Sequence, residues 1–138
     1  MLTSYKLDMK REEVKRLLDR SRKFKDASEF HLSRGDYDLA VFNIEQSLQL
    51  FLKAKLLEFG VDFPRVHSLR KLFLLLGQVL DKVDLFKGFE NERSIEFASL
   101  EDAYVTSRYF PRDFSKSEAE KLLKFLEEVI EFVRKFSS

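Results

Sequence analysis

The chain has 138 residues, with 25 lysines and arginines against 24 acids for a formal net charge of +1. That length predicts a single domain over residues 1–138 with one core, and the lack of cysteine excludes disulfides and thiol catalysis and suits a cytoplasmic location. The near balance of charge argues against a chain whose main task is to coat nucleic acid, and no apolar run approaches a membrane span.

Four glycines and two prolines leave few breaks, and the apolar spacing between them is helical almost throughout. The first predicted helix runs from about Met9 to Arg34. Val14, Leu17, Leu18, Ser21, Phe24, Ser28, His31 and Leu32 form its inner stripe, and Gly35 ends it. Asp36 reads as the N-cap of a second helix that ends at Gly60. This helix is apolar on most of its circumference and is expected to pack on more than one side. One of its arcs differs: Asp38, Glu45, Gln46, Gln49 and Lys53 cluster there, with Phe42 and Leu56 among them. Such an arc suits a ligand wall or a surface for a second subunit or partner, the latter built on Phe42, Gln46, Gln49 and Leu56. A solvated edge with two stray apolar residues is the plainer alternative.

After a loop over 61–67, Ser68 caps a third helix with Leu69, Leu72, Phe73, Leu76, Val79, Leu80 and Val83 on its inner face. The pattern lapses between Asp84 and Asn91, where a loop is expected. A fourth helix spans about Glu92 to Arg108 and is buried through Phe97, Leu100, Ala103 and Tyr104 before Pro111 stops it. The last helix opens with a capping box, from Ser115 and Glu118 or from Ser117 and Glu120. Its core residues are Leu122, Leu123, Leu126, Val129, Ile130 and Val133, with Phe125, Phe132 and Phe136 widening the stripe. No segment alternates with period two, so the prediction is an all-α, five-helix up-and-down bundle.

Signatures of chemistry are sparse. There is no Gly-rich phosphate loop, G-x-S-x-G elbow or H-E-x-x-H pair. Asp36 and Asp38 are better explained by capping and the helix dipole than by a metal, and Glu101 with Asp102 by a solvated helix face than by an acid/base pair. No catalytic residue, metal or cofactor is assigned. His31 lies on an apolar stripe and reads as a core or interface residue. His67 precedes a helix start beside Ser68, with Arg65 and Arg70 nearby, a place where it either caps the helix or bonds a phosphate. Near the end of the fourth helix, Tyr104 and Arg108 are four apart and share a face. An arginine flanked by Tyr104 and Tyr109 at a helix end suits an anion and a stacked base.

Taken in order, these residues resemble the HEPN domain family, small helical domains often found in archaea and bacteria. The resemblance is carried by Ala40 in the second helix's first turn, Gln46, Leu50, Lys53 and Ala54 further along it, His67-Ser68-Leu69 with Leu72, and Tyr104, Arg108, Tyr109 and Pro111. Phe110 separates Arg108-Tyr109 from the proline, where the family usually has proline directly after that pair. The resemblance implies a helical bundle that dimerises and binds a nucleotide or RNA. Many relatives act with a small nucleotidyltransferase as a toxin–antitoxin pair. In that picture Lys53, His67, Tyr104, Arg108 and Tyr109 of the matching set are the expected ligand-binding residues, and Arg70, close to His67 in the sequence, is added to them as a further cation for phosphate. Some relatives are ribonucleases that use an arginine followed by four to six residues and a histidine. Here Arg65 and His67 are separated by one residue, and no histidine follows Arg108. The expectation is therefore a non-enzymatic module. The alternatives are a ribonuclease with a non-standard site at His67 and a purely structural interaction module. The segment from Gly35 to Ala40 also looks like the middle of a tetratricopeptide repeat, but no second copy appears at that period.

Overall fold

The computed structural model describes residues 4–62, 65–109 and 112–137, with side chains given for all of these except 107–109. Among the described residues there are six helices and no strand: α1 (Ser4–Arg34), α2 (Tyr37–Glu58), α3 (Leu69–Val79), α4 (Val83–Glu92), α5 (Ser94–Tyr109) and α6 (Lys116–Ser137). The all-α expectation holds, and the number of helices is corrected from five to six.

α1 and α2 form a hairpin closed at Gly35, which sits at φ +82°, a region that costs other residues steric strain. There the Asp36 amide donates to the His31 carbonyl at 2.9 Å, satisfying one of the free carbonyls at the end of α1. Asp36 occupies the N-cap position of α2, but its side chain makes no capping bond and lies 3.6 Å from His31 Nδ1. Two small residues set the register of the pair. Ser21 Oγ donates to the Ser47 carbonyl at 2.7 Å, and Ser47 Oγ donates to the Ser21 carbonyl at 2.8 Å, with both side chains buried. Buried hydroxyls are tolerated because each finds a backbone acceptor, and their small size lets the two helices approach closely.

α2 is the central element and packs against α1, α3, α5 and α6, as its nearly continuous apolar surface requires. Ile44, Leu48, Phe51, Leu52 and Leu56 are all buried in the core. Next to them the rings of Phe86, Phe89, Phe97 and Phe132 surround Phe73, with centroids 4.7 to 5.9 Å away. These distances fit tilted aromatic packing, worth about 0.5–1.5 kcal/mol per pair beyond area burial.

The loop expected from Asp84 to Asn91 is helix α4. Of its ten residues only Phe86 and Phe89 are buried, too few to display a helical period in the sequence. Tertiary contact decides its place. A side chain at Gly77 of α3 would put its Cβ 2.6 Å from Phe86 Cβ, so the glycine is what lets α4 close on α3. The turn between the two helices places Asp81 at φ +58° and returns the Lys82 amide to the Gly77 carbonyl at 2.8 Å. At α6 the capping box is Ser115 with Glu118. Ser115 Oγ accepts from the Glu118 amide, and Glu118 Oε1 accepts from the Ser115 amide, each at 3.1 Å. Among the described residues no helix is long and apolar enough to cross a membrane.

Candidate functional site

The polar arc of α2 is a ladder. Glu45, Gln49 and Lys53 stand four residues apart and share a face. The Glu45 side chain is 0 % exposed, and its two oxygens accept from Gln46 Nε2 at 2.7 Å and from Gln49 Nε2 at 2.9 Å. With its amide nitrogen held by Glu45, Gln49 turns Oε1 outward. That oxygen accepts from Lys53 Nζ at 2.9 Å and lies 3.3 Å from His67 Nδ1. A hydrogen bond at that contact puts the imidazole proton on Nδ1, since a carbonyl oxygen only accepts, and leaves Nε2 of a neutral ring as an acceptor.

His67 lies just before α3, and its ring stacks on Tyr104 of α5, with centroids 4.7 Å apart and planes at 24°. Tyr104 is buried, whereas His67 is exposed. The helix cap is therefore not His67 but its neighbour: Ser68 Oγ accepts from the Lys71 amide and donates to Glu101 Oε2 at 3.1 Å. Glu101 is tied down again by Arg70, whose Nε lies 3.4 Å from Glu101 Oε1 and 3.6 Å from Glu90 Oε1. Arg70 Nη2 also donates to the Ser94 carbonyl at 2.8 Å. These bonds fix the start of α3 against α5 and so hold His67 over Tyr104.

Electrostatics follow from burial. Desolvation pushes the Glu45 carboxyl up to about 7, with the Gln49 and Gln46 hydrogen bonds and the Lys53 charge opposing it. Desolvation also lowers Lys53 from the ordinary lysine value, and Glu45 opposes that shift. The result is a partly covered cation and a buried acid that changes charge near neutrality, joined through one amide.

The structure brings together Lys53, His67 and Tyr104 from the expected ligand set. Gln46 and Gln49, expected on a partner surface, belong to the same network. Arg70 adjoins it but is committed to Glu101, Glu90 and Ser94. Glu101, expected on a solvated face, is half-buried and bridges Ser68 and Arg70. Phe42 is half-buried, one turn before Gln46 on the same face of α2. Leu56 is corrected: it is fully buried in the chain's own core, because the α2 surface there is covered by neighbouring helices, and it presents nothing to a partner. Arg108 and Tyr109 lie outside the residues whose side chains are described. The sequence reading placed Glu45 in the polar arc but missed it as the anchor, although an acid four residues before Gln49 on a helix expected to pack on more than one side was the available signal. Among the described residues no three histidine, aspartate or glutamate side chains converge as a metal site would require.

The model of the HEPN domain family matches residues 14–136, from about three turns into α1 to the last turn of α6. Neither a curated protein nor a solved structure matches the chain.

Proposed function

We propose, because the chain belongs to the HEPN domain family, that it is a non-enzymatic module that binds a nucleotide or RNA beside Lys53, His67 and Tyr104. In this reading it works as a homodimer with a small nucleotidyltransferase partner, as a toxin–antitoxin-type pair. The observation that carries the binding role is the His67–Tyr104 stack, 4.7 Å between centroids, next to the Lys53 ammonium on Gln49. Stacked rings offer a face to a base, and an ammonium offers donors to phosphate. The commitment of Arg70 to Glu101, Glu90 and the Ser94 carbonyl favours a binding role over cleavage, since Arg70 is not joined to His67 as a catalytic pair. The half-buried Phe42 and Gln46, on the same face of α2, supply a surface for the second subunit. The nucleotidyltransferase partner rests on the family resemblance alone.

Calorimetric titration with AMP, ATP and a short single-stranded RNA at low salt tests the binding role. Saturable binding is expected, weakened about tenfold or more by His67→Ala, the scale of one lost stacking contact. No binding of any of the three at millimolar concentration removes the ligand reading. A monomer by light scattering at tens of micromolar removes the homodimer.

A further inference from the structure

We propose that the groove between α1 and α6, floored by α2, receives an acidic amphipathic helix of a partner protein. This groove lies away from the His67 face, because Ser47 and Phe51 stand about 200° around α2 from Glu45 and Gln49. α1 and α6 both pack on α2 but touch each other sparingly, which leaves a depression of about 640 Å³.

Its floor is aliphatic in character: Val14 and Leu18 of α1, Leu57 of α2 and Ile130 of α6, with Phe51 beneath them. Its rim is basic, and the charge is not cancelled internally. The two acids that line it are already engaged, Asp19 by Arg22 and Glu58 by Lys55. Lys10, Arg11 and Lys15 line the same groove and form no ion pair among the described residues. Further along, where α1 faces Glu127 and Glu131, acids and bases are mixed. The unpaired lining cations of α1 are therefore grouped at the end nearest its start, and Arg134 of α6, over the Phe51 ring, adds positive charge across the groove.

That end also carries unpartnered apolar surface. The Ser21–Ser47 register places Arg11 opposite the end of α2, so the first turns of α1 extend past α2. Tyr5, Leu7 and Met9 are exposed there, and Leu7 continues the groove. Exposed apolar residues beside a basic rim are unusual on so polar a helix and mark a contact surface.

The chemistry selects the occupant. Ridges of neighbouring helices around an apolar floor accept the ridge of another helix, with apolar anchors at i, i+3 or i+4, and i+7. Free cations on the rim call for acids flanking those anchors. A nucleic acid fits poorly, because among the described residues that line the groove Phe51 is the one aromatic ring and is only 2 % exposed, so bases find no open ring inside it, and the exposed Tyr5 lies outside that lining.

Selection from a displayed library of helical peptides tests this, with the intact chain as bait and Arg11→Glu/Lys15→Glu as the counter-bait. Both positions are exposed on α1, and circular dichroism checks that the variant's helix content and melting are unchanged. The expected result is enrichment of peptides with glutamate or aspartate beside an apolar i, i+4, i+7 stripe. Their affinity should fall about tenfold or more for the double variant, as expected when two close charge pairs become repulsive. Peptides indifferent to the charge reversal, or no enrichment at all, overturn the proposal. So does a wild-type dimer that the double variant dissociates in sedimentation, which would make a second copy the occupant. Binding of oligouridine that the double variant abolishes, without peptide enrichment, would assign the groove to nucleic acid instead. None of these readouts depends on His67.

Discussion

Glu45→Gln isolates the most unusual charge in the molecule. The Glu45 carboxyl is held at about 7 in the folded chain against an ordinary value of 4.5, with desolvation as the leading cause. A carboxyl raised on folding favours the folded state while it stays protonated. That contribution is complete below about pH 4.5 and is lost as pH rises to about 7, because the unfolded chain releases the proton first. A shift of this size corresponds to about 3 kcal/mol at 1.36 kcal/mol per unit. Glutamine resembles the protonated carboxyl, with one carbonyl acceptor and a donor where the acid carries its proton. The variant should therefore match the wild type within about 1 kcal/mol near pH 4.5, the scale of one imperfect hydrogen bond. It should become more stable by up to about 3 kcal/mol by pH 8. Urea unfolding of both chains at half-unit steps from pH 4.5 to 8.5 measures this, and the difference between the curves removes the titrating groups that do not interact with Glu45. A difference that stays flat across that range, or a variant that is less stable at pH 8, refutes the argument from burial.

Three further substitutions test the packing of α4 on α3 and the cap of α6. Gly77→Ala places a methyl 2.6 Å from Phe86 Cβ and 2.8 Å from its Cγ, so α4 must move off α3. A loss of about 1–3 kcal/mol is expected in chemical unfolding, the usual range for overpacking, and an unchanged midpoint would mean that α4 is not anchored there. Ser115→Ala removes the capping hydroxyl of α6 and should lower the thermal midpoint by a few degrees, while Ser117→Ala should not. The Ser115 amide also holds the Glu118 carboxyl below its ordinary value, so the cap stabilises above that value and fades as pH falls through the lowered one. Equal effects of the two serine substitutions in a melting experiment would show that the cap is misassigned.

The parts of the fold that were legible in the sequence are those governed by local chemistry. Gly35, Ser68 and the Ser115–Glu118 box act within a few residues of themselves; the first two stand where the sequence put them, and the box is one of the two that the sequence offered. The inner stripes of α3 and α6 are long enough to show their period. α4 was hidden because two buried phenylalanines in ten residues do not make a period, and because its anchor is a glycine on another helix. The site divides in the same way. Glu45, Gln46, Gln49 and Lys53 were visible as one arc, because helical spacing alone assembles them. Ser68 and Glu101 are 33 residues apart, and nothing local pairs them. The same distance effect hid the partners of Arg70, whose acids come from α4 and α5, and misplaced Leu56, whose burial depends on helices that the α2 pattern does not describe.

A buried acid that costs about 3 kcal/mol at alkaline pH is not explained by stability, since glutamine or leucine would fill the same space more cheaply. What the acid does that neither replacement can is accept two hydrogen bonds at once, from Gln46 and Gln49. The bond to Gln49 decides which end of that amide faces outward. With its nitrogen on Glu45, the carbonyl meets Lys53 at 2.9 Å and His67 at 3.3 Å, two groups that can donate to it. Were the amide reversed, its nitrogen would face the Lys53 ammonium, donor against donor, and the imidazole would lose its acceptor. Glu45 thus orients the exposed end of the ladder from its buried end. Because its carboxyl changes charge near neutrality, the strength of that orientation varies with pH in that range. A residue that lowers stability while fixing the polarity of a half-exposed network has the energetic profile of a functional position, where local rules yield to the geometry of the site.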